Sequence, residues 1–129
     1  MQFELNLRDS EVASVLPEGQ DLRISFAAAA LTRTDIHPAA VGYMNGLVLH
    51  LRDTRWKGVP GECIGRLSSG ELRIGELVLS RFALPWVASG ALSGELQFAN
   101  GARLQFLAQA GECRLPETPR FNESLACWV

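Results

Sequence analysis

The chain carries one lysine, Lys57, against eleven arginines, and it has only two histidines and three cysteines in 129 residues. No apolar run approaches the roughly eighteen residues that a membrane helix needs. The opening Met1-Gln2-Phe3-Glu4-Leu5 alternates polar and apolar residues and lacks the basic start and unbroken apolar stretch of a signal peptide. A soluble chain with no membrane partner, not exported by that route, is the reading.

Cys63, Cys113 and Cys127 are odd in number, widely spaced, and form no C-x-x-C pair. A disulfide framework would pair them, so reduced thiols in a cytoplasmic protein are expected. Zinc would need a fourth ligand, and neither His37 nor His50 stands at motif spacing from a cysteine. No metal is expected, and the thiols read as small buried hydrophobes. Also missing are G-x-S-x-G, the P-loop pattern, a G-x-G-x-x-G before a helix, and clustered carboxylates in an apolar context. With no catalytic set and no cofactor motif, nothing points to an enzyme. The net charge of −2 argues against a nucleic-acid partner, which demands a basic face. The arginines are scattered, which reads as coding bias rather than as one recognition site.

What is present is alternation. Hydrophobic residues make up 47% of the chain and charged ones 20%, enough core for one compact domain over residues 1–129 and too little chain for two. Phe3, Leu5 and Leu7 alternate with polar residues, as do Leu22, Ile24 and Phe26, and Leu47, Leu49 and Leu51. Pro17-Glu18-Gly19-Gln20 is turn chemistry joining a strand at about 11–16 to the one at 22–26. Further strands are predicted over 63–67, 71–79, 92–98 and 103–108. The predicted fold is all-β: an antiparallel sandwich or barrel-like curved sheet of about seven to nine short strands, with at most one short helix.

Parity fixes two hairpins, because residues directly opposite share a face. A three-residue loop at Ala99-Asn100-Gly101 pairs Phe98 with Ala102, Leu96 with Leu104 and Gly94 with Phe106, with Gly101 left-handed. A two-residue loop at Ser69-Gly70 would pair Leu67 with Leu72 and Gly65 with Ile74. Five Gly-Glu pairs, at Gly61, Gly70, Gly75, Gly94 and Gly111, are too unevenly spaced for a repeat. In each, the glycine bends the strand, the glutamate faces water, and the next residue returns to the core.

One region breaks the pattern. The alanines at 27–30 read as a strand running into a long loop over 32–45, with at most one helical turn, and loops of that length tend to be functional or disordered. It holds Arg33, Asp35, His37 and Tyr43. A general-base role for His37 oriented by Asp35 is conceivable, but a surface turn is the simpler reading. His50 falls on the wet side of its strand. Trp86 belongs in the core, and Trp128 is expected to pin the C-terminal tail. Trp56 sits among Arg52, Asp53, Thr54, Arg55 and Lys57, a polar setting for so large a ring. It reads either as a rim residue with its ring on the core or as an exposed anchor, since Trp and Arg dominate interface hot spots.

The expected function is therefore a small, bacterial-type, non-catalytic protein that recognises another protein, as an inhibitor or immunity protein does. Its candidate contacts are Arg33, Asp35, His37, Tyr43, Arg52, Arg55 and Trp56. The alternatives are a barrel holding a small ligand, or a subunit that forms a homodimer.

Overall fold

The computed structural model describes residues 2–123 and is built almost wholly of antiparallel strands. They are β1 (Phe3–Glu18), β2 (Asp21–Arg33), β3 (Ala40–Met44), β4 (Val48–Arg52), β5 (Arg55–Lys57), β6 (Gly65–Ile74), β7 (Leu77–Leu79), β8 (Arg81–Leu84), β9 (Trp86–Phe98), β10 (Arg103–Arg114) and β11 (Asn122–Glu123). One 3₁₀ turn, Pro60–Glu62, is the helical element among them. No helix among the described residues is long and apolar enough to cross a membrane. Cys127, Trp128 and the expected docking of the last residues lie outside the described part.

Six strands close a barrel in the order β1-β2-β4-β10-β9-β6, and the ring is completed where Glu11 and Val12 of β1 pair with Arg66 and Gly65 of β6. The five other strands flank it: β3 on β2, β11 on β3, β5 on β10, β7 on β6 and β8 on β1. The inside is filled by the alternating apolar set. Leu22, Ile24, Leu49, Leu51, Leu96 and Leu104 are all fully buried. The barrel is thus a packed core, as narrow barrels are.

Strands number eleven rather than seven to nine, because short strands such as β5, β7, β8 and β11 flank the ring, and several ring strands are longer than expected, because irregularities let one strand continue where strict alternation would end it. β1 runs as one strand through both stretches that the sequence separates, with register shifts between Asn6 and Val12 and again before Ser14. The buried face passes from Leu7 to Ser10 at this bend, where Asp9 is left-handed. Ser10 satisfies the break: its hydroxyl donates to the Asn6 carbonyl (2.6 Å) and accepts from the Ala30 N–H (2.8 Å). The bend lets one end of β1 pair with β8 and the other with β6.

The predicted turn at Ser69-Gly70 is wrong for the same reason. Leu67 and Leu72 are five residues apart and both face inward, which a single regular strand forbids. A register shift between Leu67 and Ser69 resolves this inside β6, whose partner is β9, with Leu67 opposite Phe98 and Leu72 opposite Gly94. The turn falls instead at Gly75-Glu76, and Gly65 faces Val12 rather than Ile74. Leu77 after that turn stays exposed on β7, so the Gly-Glu reading fails there. At Cys63, Leu72, Leu96 and Cys113 the residue after the glutamate is buried.

The other two turns form as expected. Glu18 pairs with Asp21 around Gly19-Gln20. The loop at 99–101 has Gly101 left-handed, Leu96 opposite Leu104 and Gly94 opposite Phe106. A Cβ at Gly94 would run into the Phe106 ring, so the glycine is what admits the phenylalanine. The alanine run is strand, but the long loop shrinks to residues 34–39, because 40–44 fold back as β3 onto the far half of β2. Trp86 is buried against Phe82, with ring centroids 4.9 Å apart.

Candidate functional site

The seven candidate residues fall into two groups. Arg33 is the last residue of β2, whereas Arg52 ends β4, whose pairing with β2 runs from Ser25 opposite Val48 to Leu22 opposite Leu51. Eleven residues of strand, roughly 35 Å at ~3.3 Å per residue, therefore separate the two groups along β2.

At the first end, Arg33 and Asp35 are spent on each other. The guanidinium donates from Nε to Oδ1 (2.9 Å) and from Nη2 to Oδ2 (3.3 Å), and this contact holds the Asp35 carboxyl down at about 2. His37 lies exposed in the 34–39 connection, and Asp35 is turned to Arg33 rather than to it. Tyr43 stands on β3 opposite Ala30, three positions back from the Arg33–Ala40 pair. The residues of this end share a neighbourhood but do not converge.

At the other end the chain builds a cleft. After β4 it turns a corner at Asp53, whose left-handed backbone is tolerated by aspartate. The corner is tied to the β1–β2 turn: the Asp53 N–H donates to Asp21 Oδ1 (3.1 Å) and the Thr54 N–H to the Gln20 carbonyl (2.6 Å). This steers β5 off β2 and along β10, placing Arg55 opposite Leu107, Trp56 opposite Phe106 and Lys57 opposite Gln105. Gly58 then passes so close to the Arg103 carbonyl that a side chain there would collide with it. Trp56 is half-buried with its ring on the core, the rim position, and Arg55 and Lys57 point to water.

A cleft of about 550 Å³ lies over β5, β10, β9 and β6, lined by Arg55, Trp56, Lys57, Arg73, Glu95 and Leu107, among others. Its charges are unequal in their commitments. Glu95 accepts from Gln97 Nε2 (3.0 Å) and Gln105 Nε2 (3.2 Å), with Arg103 Nε 3.5 Å away, and these contacts, the amides foremost, hold its carboxyl below the usual range. Glu71 is taken by Arg73 at 2.8 Å. Neither Arg55 nor Lys57 has an ion-pair partner among the described residues. Leu107 is 60% exposed, a large apolar side chain on the wet face of β10. Arg52 lies outside the cleft, near Glu112 (3.6 Å).

No family model, curated protein or solved structure matches this chain. The argument therefore rests on chemistry. The cleft lining has no histidine or cysteine; its one hydroxyl, Ser93, makes no hydrogen bond to a carboxylate among the described residues, and Glu95, engaged by Gln97 and Gln105 with its carboxyl held below the usual range, is a poor proton acceptor near neutral pH. Among the described residues no three His, Cys, Asp or Glu side chains group as metal ligands. Cys113 is buried and its thiol is pushed up to about 12, while burial also raises Cys63. Sequence reasoning found Arg55 and Trp56 but passed over Lys57, Arg73, Glu95 and Leu107. The signal for Leu107 was available: the register set by Asn100-Gly101 puts position 107 on the wet face, where a leucine is out of pattern.

Proposed function

We propose that this protein is a non-catalytic recognition module that docks another protein through the cleft over β5, β10, β9 and β6. The observation that carries the reading is Leu107, uncovered in the cleft lining directly opposite Arg55, with the half-buried Trp56 and then Lys57 next along β5 and neither cation ion-paired among the described residues. A large apolar side chain beside tryptophan and arginine is the composition of an interface centre, and partner burial is what would offset its exposure. The small, mildly acidic chain and the absence of a reactive set in the cleft favour an inhibitor or immunity-type protein within that class. A ligand held inside the barrel is less favoured, since it would have to displace the buried Leu22, Ile24, Leu49 and Leu96.

Affinity purification from the native host with mass spectrometry tests this, using the wild type and Leu107→Glu side by side. A stoichiometric partner should accompany the wild type and be lost from the variant. If Leu107→Glu folds normally and retains the same partner at the same ratio, the cleft is not the docking surface. A mass twice that of the chain at micromolar concentration, unchanged by Leu107→Glu, would instead favour the homodimer.

A further inference from the structure

We infer that the partner contributes an extended acidic segment that adds to the open edge of β5, with carboxylates at alternate positions and an apolar residue between them. This rests on the docking role proposed for the cleft and adds the chemistry of the segment that the same partner lays along its β5 rim.

Two observations lead there. The first is a sheet edge left open. Among the described residues β5 pairs with β10 alone, because β2, which covers β4 on that side, has already turned at Gln20-Asp21, where the Thr54 N–H is taken. A three-residue edge strand presents backbone groups on which an extended chain can build. The second is charge. The cleft lining carries three cations, Arg55, Lys57 and Arg73, against two anions, Glu71 and Glu95, with Arg103 3.5 Å from Glu95. Arg73 and Arg103 are committed to the two glutamates, which leaves Arg55 and Lys57 as the lining cations with no ion-pair partner among the described residues.

Geometry joins the two. Arg55 and Lys57 are two residues apart on one strand, so they share the outer face about 7 Å apart, while Trp56 between them faces the core side. A strand laid against β5 meets them in the same alternation. Its residues opposite Arg55 and Lys57 face water and favour Glu or Asp, and its residue opposite Trp56 faces the uncovered part of the ring and favours an apolar side chain. The motif is acidic–apolar–acidic. A nucleic acid offers anions too, but not at this alternating pitch with a backbone that can pair with an edge strand.

The test is a titration of the ¹⁵N-labelled full chain with a capped peptide of alternating glutamate and valine, (Glu-Val)₃. Its lysine counterpart, (Lys-Val)₃, a sodium polyphosphate and a single-stranded oligonucleotide serve as the other arms. Expected is saturable binding of the glutamate peptide with shifts centred on 55–57 and weakening as salt rises. The Arg55→Glu/Lys57→Glu double variant should bind it at least tenfold more weakly and acquire binding to the lysine peptide, a gain that a misfolded variant would not give. Absence of binding at millimolar peptide, equal binding of both peptides, or shifts centred elsewhere would overturn the inference. So would polyphosphate or the oligonucleotide binding these residues more tightly than the peptide. A failure here is separable from failure of the docking role. A host partner lost by Leu107→Glu but kept by the double variant leaves the cleft as a docking site and removes the acidic strand.

Discussion

The two faces of β10 divide the molecule's labour. Leu104, Phe106, Ala108 and Cys113 point inward and are buried, and every one is committed to packing. Arg103, Gln105, Leu107 and Glu112 point outward, and there the commitments stop unevenly. Arg103 and Gln105 contact Glu95, and Glu112 contacts Arg52 and Arg114, but Leu107 has no polar role and remains uncovered. Packing accounts for each of the inward residues, whereas no contact among the described residues accounts for the outward Leu107.

Four measurements would break or sharpen that contrast. The largest effect is expected at Cys113. Its thiol rises from an ordinary 9.0 to about 12 on burial, so its thiolate is about a thousandfold scarcer in the folded chain. Alkylation at pH 8 followed by peptide mapping should leave Cys113 unmodified until denaturant is added, and prompt labelling of the native protein would mean the inner face is not closed. Next is Leu104→Ala, which removes a fully buried side chain and should cost about 2–5 kcal/mol in urea unfolding. A loss below about 1 kcal/mol would show the barrel interior to be loosely filled. On the outer face, Leu107→Glu should shift the unfolding free energy by no more than about 0.5 kcal/mol while abolishing partner capture. If stability fell by several kcal/mol, Leu107 would belong with the core after all.

The smallest effect is expected at the remote Arg33–Asp35 pair. Its carboxyl is held below its ordinary 3.8, at about 2, so its contribution is complete above about pH 4 and lost as pH falls through about 2. The pair is a solvent-screened surface contact, so the change should be slight. Urea midpoints of wild type and Asp35→Asn should differ most near neutral pH and converge by about pH 2. A gap that widened on acidification would contradict the sign of the shift.

The same two faces explain what could be read in advance. Alternation marked Leu22 to Phe26 and Leu47 to Leu51 as strands, because one face meets water and the other does not, and that pattern needs no knowledge of partners. The loop at 99–101 was legible because its glycine and its parity agree. Ser69-Gly70 misled because parity alone cannot separate a turn from a bulge. Only the neighbouring β9 and β1 decide between them, Gly70 lying against Leu7 and Leu96. The candidate site divided likewise. Trp56 and Arg55 stood out locally, whereas Arg33, Asp35, His37 and Tyr43 were grouped with them only by residue type, and the barrel sets the two groups at opposite ends of β2.

Sequence by itself thus determined the class of fold, much of the inward set and the turns at 19–20 and 99–101, since each depends on side chains within a few positions of one another. Tertiary structure alone decided where β1 bends to close the ring, which partner each edge finds, and that Arg55 and Lys57 stand beside an exposed Leu107 with no ion-pair partner among the described residues. Those outcomes depend on contacts between residues tens of positions apart, and no local pattern records which distant charge will be spent.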